Sequence, residues 1–493
     1  MAPMAGSVMQ LQPAAPYHCA GSALTIRHRP CGTLPCPSPS EEPRLSQPPN
    51  VSGWRAYRDA RVLAVALLGF SSGLPLLLTF STLSAWLKSD GISRTDIGLF
   101  ALVGTPYALK FLWSPVIDRL ALPGLTPLLG RRRSWGLLIQ TLLIACILAM
   151  GACDPAHQLG WVAALAVAVS FLSASQDIVI DAYRVEILPP ELQGPGAGAV
   201  QTGYRIAMLA AGAGALFIAS AFGWFAAYAA MAALLSVGMA VLLIRPEPVV
   251  HASPATIERE RQAARFLESR PHLAGTPATV MAWLYAAVVC PFADFTARRG
   301  WVPVLLLVIG YKMGEAMAGI MATPLYLDLG YSLDEIAAVS KLFGFAATVA
   351  GGLIGGALVP RMGALPAMLL FGILQSLGNL FYVLQAAAGH DTRILALCVF
   401  AENLTAGMAG SAMVAYLSGL CNVAYTATQY ALLSSLAAVG RTVFASASGK
   451  IADVFGWVDF FLLTTVATAP ALVLLLWMLR RPPVDRRPAA AEV

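Results

Sequence analysis

Charged side chains are scarce in this chain: Asp, Glu, Lys and Arg supply 12% of 493 residues, against 58% hydrophobic residues and a mean hydropathy of +0.69. Such a balance leaves too little polar surface for two or three soluble domains, and it predicts an integral membrane protein. Soluble-enzyme signatures are missing as well. There is no Gly-rich phosphate loop ending in Lys-Ser/Thr, no His-Glu-x-x-His and no Gly-x-Ser-x-Gly, and the first absence removes an ATP-driven pump from consideration. Asp177-x-x-x-Asp181 has no second aspartate-rich partner motif, which sets aside a magnesium-dependent prenyltransferase. The expectation is therefore no enzyme, no cofactor and no metal. The net charge of +6 does not point to nucleic acid, because most Arg lies in short stretches between apolar segments, where it orients a chain in a bilayer.

The first 55 residues lack any apolar run. Ten prolines from Pro3 to Pro49 interrupt them, so residues 1–55 are expected to be a disordered Pro-rich tail. Cys19, Cys31 and Cys36 fall there beside His18 and His28, but their spacing fits no zinc pattern. The tail has no secretory h-region, so the first membrane helix would serve as the insertion signal. No methionine lies between Met9 and Met150, and translation is expected to begin near Val51.

Beyond the tail the chain is a series of apolar stretches of about 20 residues, the length that crosses a bilayer. Twelve are predicted, centred near Phe70, Tyr107, Leu143, Ser170, Leu209, Met231, Tyr311, Thr348, Leu374, Leu404, Ser435 and Ala469. They divide into a six-helix bundle over 56–245 and a second over 301–480, with a cytoplasmic tail at 481–493. Residues 246–300 read as a cytoplasmic linker, with the run from Thr279 to Phe295 as an interfacial helix, the alternative being a thirteenth span. The fold class is thus all-α, twelve transmembrane helices in two pseudo-symmetric bundles. Arg55, Arg58, Arg61, Arg131–Arg133, Arg184, Arg361, Arg480 and Arg481 fall on one side, and far fewer cations (Lys88, Arg94, Arg393) on the other. Both termini are therefore expected in the cytoplasm. Two matches suggest duplication: Asp90-Gly91-Ile92-Ser93 corresponds to Leu329-Gly330-Tyr331-Ser332, and Phe222-Gly223-Trp224 to Phe455-Gly456-Trp457.

Ionisable residues inside membrane helices are costly and mark a pathway or a partner. Asp177 and Asp181 are four apart, hence on one helical face, with Arg184 one turn on and able to pair with Asp181. Lys110, Arg205, Lys312, Glu315, Lys341, Glu402 and Arg441 are the other intramembrane charges. Lys312 and Glu315 have the spacing to neutralise each other, and Lys341 and Arg441 to snorkel from helix ends. Inward-facing cations suit an anionic cargo, and Tyr107, Trp113, Tyr204 and Tyr311 are candidates for stacking on sugar rings.

Ser114-Pro115-Val116-Ile117-Asp118-Arg119, with Gly130-Arg131-Arg132-Arg133 after it, resembles the signature between helices 2 and 3 of the major facilitator superfamily. It differs in Ser114 for the usual Gly and in an insertion before Gly130. That likeness implies a cytoplasmic gate held by Asp118, Arg119, Arg131, Arg132 and Arg133. More specifically, Gly69-Phe70-Ser71-Ser72-Gly73-Leu74-Pro75, Leu109-Lys110-Phe111-Leu112-Trp113 and above all Gln176-Asp177-Ile178-Val179-Ile180-Asp181-Ala182-Tyr183-Arg184-Val185-Glu186 resemble the AmpG family of muropeptide permeases. The resemblance runs from about residue 60 to 480. It implies proton-coupled import of anhydro-muropeptides across the bacterial inner membrane, for cell-wall recycling and, in some bacteria, β-lactamase induction; a monomer is expected. Charge and position make Asp177, Asp181, Glu315 and Glu402 candidate proton sites, with Gln176 and Arg184 in the same pathway, and Lys110, Arg205 and Lys312 candidate contacts to substrate carboxylates. Acetyl-CoA transporters share a related helix 4 pattern, so another amphipathic anion is the alternative cargo.

Overall fold

A computed structural model describes residues 53–249, 289–298, 300–336, 339 and 343–480. The N-terminal tail, Lys341 and most of the stretch expected to be a linker lie outside the described residues. Ten described helical runs are long and apolar enough to cross a membrane. With the shorter helical pieces of α2 and the first part of α11 added, the spans in chain order are α1 (Ala60–Ser89), α2 (94–119), α3 (Arg131–Gly151), α4 (Pro155–Ile187), α5 (Pro190–Phe222), α6 (Trp224–Ile244), α7 (Trp301–Asp328), α8 (described over Leu333–Ile336 and Gly344–Met362), α9 (Ala364–Ala388), α10 (Thr392–Leu420), α11 (426–455) and α12 (457–480). Each of the twelve expected centres falls within its own span.

Local chemistry sets the ends. Asp59, Asp154 and Asp391 cap α1, α4 and α10, each accepting a hydrogen bond from a backbone N–H of the first turn. The turn between α5 and α6 is made at Gly223, with φ 85° and ψ 166°, and that between α11 and α12 at Gly456, with φ 75° and ψ 172°. Only glycine takes this backbone readily. The repeat reaches side chains too: Trp224 donates to Ser89 at the end of α1 and Trp457 donates to Asp328 at the end of α7. Ser93 with Asp96, and Ser332 with Glu335, cap the next helices in the chain. A further counterpart, Gly130 and Gly363 before α3 and α9, shares the same backbone conformation and escapes a comparison of residue types.

Several spans are interrupted, and two of the breaks fall at candidate charges. In α2, Pro106 and Pro115 each begin a short helical piece, with a 3-10 turn over Lys110–Leu112 between them. α7 breaks between Gly310 and Met313, with Lys312 outside helical geometry. Backbone freed inside a membrane protein survives only where it faces protein or water, so both breaks mark the interior of the bundle.

Between helices in lipid, close packing replaces the hydrophobic effect as the adhesive. α1 meets α5 through Gly69, Gly73 and Gly203, and α8 meets α10 through Gly351, Gly355 and Gly407. A Cβ on Gly203 would stand 1.9 Å from the Ala66 carbonyl oxygen, and one on Gly407 2.3 Å from that of Thr348. Backbone cannot retreat as a side chain can. Gly203→Ala is therefore expected to cost about 1–3 kcal/mol and to lower the thermal unfolding midpoint of the purified protein by several degrees. Gly319→Ala, with nothing within 4 Å of the added methyl, leaves the midpoint in place; equal midpoints for the two variants would contradict the close packing.

Candidate functional site

The twelve ends alternate between two faces. α1 begins and α6 ends on the face that carries Arg55, Arg58, Arg61, Arg119, Arg131–Arg133, Arg245, Arg361 and Arg480, here the basic face. Asp90, Asp96, Asp154, Asp328, Glu335 and Asp391 lie at the far face. The hydrophobic cores divide along the same axis. Toward the far face one cluster holds only residues of α1–α6 and their connections, among them Leu78, Trp86, Ile147 and Tyr228. Another holds only residues of the second half, including Tyr326, Tyr382, Phe460 and Phe461. Toward the basic face the clusters mix: Ile117, Ile178 and Ala182 pack on Ala427 and Ala431 of α11, and Val185 and Ala197 join Val359 and Tyr416. The two halves thus meet on the basic side.

An ionic latch lies in that contact. Arg132, 1% exposed, donates from Nη2 to Asp118 at 2.7 Å and to Glu186 at 2.6 Å, and from Nε to Glu186 at 3.1 Å. The second oxygen of Asp118 accepts from the Thr428 backbone N–H at 3.1 Å and from its hydroxyl at 2.9 Å. Asp118 on α2 therefore joins α3 to the first turn of α11 in the other half. Arg184 of α4 donates to Ser418 of α10 at 2.8 Å and lies 5.1 Å over the Tyr430 ring. Arg119 lies 5.0 Å over Tyr425. The three expected gate arginines separate. Only Arg132 enters the latch; Arg133 donates to the Leu242 and Leu243 carbonyls at the end of α6, and the Arg131 Nε makes no hydrogen bond. Glu247 accepts from the backbone N–H groups of Arg132 and Arg133, where the α3 dipole favours an anion.

Deeper in the bundle the candidate charges form two groups. In the first half Ser72 donates to Asp177, Lys110 lies 3.9 Å from Asp181, and Arg184 lies 3.6 Å from Asp181. Gln176, 1% exposed, has no hydrogen-bond partner for either amide atom among the described residues. In the second half Lys312 and Glu315 form an ion pair, and Gln375 donates to Glu315 at 2.5 Å. Glu402, half-buried on α10, and Arg205, exposed on α5, make no ion pair or hydrogen bond among the described residues. Arg441 is exposed in α11, in the helix Thr426–Ser446 and ahead of the interruption at Ala447. Trp113 and Tyr311 serve packing: Trp113 donates to Ser175 and tilts on Phe171, and buried Tyr311 donates to the Met368 carbonyl.

The Major Facilitator Superfamily profile matches residues 62–327 and 304–493. The anhydromuropeptide permease of Escherichia coli K12 is 41% identical over 425 residues, spanning 86% of this chain and 80% of that protein. The AmpG 4 homologue of Rickettsia felis is 34% identical over 426 residues, 86% of this chain and 98% of its own length.

The chain belongs to the AmpG branch of the major facilitator superfamily.

A solved structure of a proton:xylose symporter bound to 6-bromo-6-deoxy-D-glucose shares the fold, with a TM-score of 0.57 and 13% identity across 86% of this chain and 94% of that one. A member of this superfamily is a multi-pass transporter, not an enzyme. Thr428, Ser418 and Glu247 contact the expected residues, yet no motif of their own marks them; Glu186 closes the helix 4 motif, but nothing in the motif shows that it meets Arg132. The signal for Thr428 is the polar run Asn422 to Gln429 opening an otherwise apolar span.

Removing one partner of a buried ion pair costs on the order of 3–5 kcal/mol, and here that cost would be relieved by parting the halves. Asp118→Asn, in protein whose other cysteines are replaced, is expected to raise the alkylation rate of the native Cys421 beside the latch severalfold. An unchanged rate would show that the latch does not hold this face shut.

Proposed function

We propose that this transporter imports anhydro-muropeptides, disaccharide fragments of cell wall with a short peptide, from periplasm to cytoplasm in symport with protons. The observation that carries the reading is the 41% identity to the anhydromuropeptide permease over 86% of the chain. The chemistry of the interior agrees with it. The cargo is an amphipathic anion, and the half-buried interior combines four cations (Lys110, Arg205, Lys312, Arg441) with aromatic Tyr107 and Tyr204.

Orientation is read from charge: with the basic face in the cytoplasm of a bacterial inner membrane, both termini are cytoplasmic, in keeping with the excess of Arg on that side. The closed latch then describes an outward-facing state, with the 56–245 and 301–480 bundles meeting at the cytoplasmic end. Cargo entering from the periplasm draws the far ends together, and the strain is relieved by parting the latch.

For the proton, geometry separates the acids. Glu315 is neutralised by Lys312, Asp181 lies between Lys110 and Arg184, and Asp177 accepts from Ser72. Glu402 has no such partner and is the acid we assign to carry it. Labelled anhydro-disaccharide-tripeptide should accumulate in proteoliposomes only with an inward proton gradient. Glu402→Gln should abolish that accumulation while leaving counterflow exchange, which needs no net proton movement, within about twofold of wild type. No uptake by folded wild type would overturn the cargo assignment; gradient-driven accumulation by Glu402→Gln would remove that residue from the proton's path.

A further inference from the structure

Four cations stand in the interior, but they are not equivalent. Lys110 is near Asp181 and Lys312 is held by Glu315. Arg205 and Arg441 are both exposed and make no ion pair or hydrogen bond among the described residues. An uncompensated guanidinium inside a membrane bundle is expensive unless it faces water and awaits a partner.

Their placement shows where that partner would sit. On α5, Arg205 is one turn beyond Gln201, whose amide reaches the Gly410 position of α10 in the other half, and Gly198 below it faces Gly352 of α8. Arg205 thus continues the stripe of α5 that faces the second half. On α11, Arg441 continues at helical spacing the stripe of Ala427 and Ala431, which packs on Ile117 and Ile178 of the first half. Both stripes leave the closed contact and run toward the far face, where the cores no longer join. The two guanidiniums converge electrostatically: both act on the Tyr204 hydroxyl, Arg205 also acts on Glu402 of α10, and Arg441 on Glu315 of α7. Each arginine therefore reaches groups of the opposite half or of the centre.

We infer that Arg205 and Arg441 form a two-armed clamp for carboxylates of the cargo, one arm on each half of the protein. A planar guanidinium holds a carboxylate through two parallel hydrogen bonds, which a lysine cannot imitate. An acidic peptide stem seated between the arms ties α5 to α11 above the latch, so recognition of its charge and closure of the far face become one event. The sugar portion falls to Tyr107 and Tyr204, beside the first-half arm. This inference rests on the muropeptide reading and adds to it which part of the cargo is recognised, and by which residues.

The test compares anhydro-disaccharide-tripeptide with the same molecule whose peptide carboxylates are amidated, in proteoliposomes of wild type, Arg205→Gln, Arg441→Gln and the corresponding Lys variants. Wild type should take up the free acid with the lower KM. Each Gln variant should raise the KM for the free acid by about ten- to a hundredfold, the usual weight of a charge-assisted hydrogen bond, and leave the amidated cargo within about twofold. Lys variants should fall between. Uptake of the amidated form is the internal measure that a variant is folded and inserted. Variants that weaken both cargoes equally, or neither, would overturn the clamp while the cargo assignment stands. A wild type that transports neither would overturn both together.

Discussion

The buried guanidinium of Arg132 is the interaction on which the observed arrangement depends. Alone at 1% exposure it would be prohibitively costly; with Asp118 and Glu186 on it, three helices of the first half are fixed to one point. Asp118 has one oxygen left, and it is satisfied by Thr428 of the second half. The charge that organises one bundle therefore also docks the other. Because the bond to Thr428 is the part that can be broken without uncovering an unpaired ion, the latch is strong within a half and releasable between halves. That is the distribution of strength that rigid-body rocking needs.

Closure at one end dictates what happens at the other. Ala427 and Ala431 are seated on Ile117 and Ile178, while toward the far face each half completes its core separately. Charges are costly against lipid, and the candidate charges fall between these two regions of core. Discontinuous backbone belongs to the same design: α2 and α7 break at Lys110 and Lys312, so each lysine leaves its helix where a neighbouring carboxylate can meet it. Pairing these two leaves the arginines of α5 and α11 and the carboxyl of Glu402 with no ion pair or hydrogen bond among the described residues, and such groups suit a transported anion and a proton.

Much of the fold was legible in the chain because bilayer thickness and backbone satisfaction leave few options: apolar runs of fixed length, Asp caps, and glycine at Gly223 and Gly456. The duplication was visible in residue types at those glycines and at Gly91 and Gly330, but not at Gly130 and Gly363, where only the backbone repeats. The breaks in α2 and α7 were less legible. Pro106 and Pro115 announced the first, whereas nothing in Tyr311-Lys312 announces the second. Pairings along one helix, Lys312 with Glu315 and Asp181 with Arg184, are set by spacing. Those between helices are not: that Arg132 and not Arg131 or Arg133 meets Asp118, or that Thr428 completes it, depends on the rotation of α3 and the docking of α11. Arg441 illustrates the point most plainly, since its role depends on whether α11 ends near it or continues.

The central claim is that the halves are closed on the basic face, open on the far one, and exchange these states when cargo binds. Spin labels read it most directly: one pair across the far face at Ser220 and Val454, another across the basic face at Leu128 and Leu479, in protein otherwise free of cysteine. Adding anhydro-disaccharide-tripeptide should shorten the first distance and lengthen the second. Two distances that stay fixed, or that move in the same direction, would contradict alternating access built on this latch.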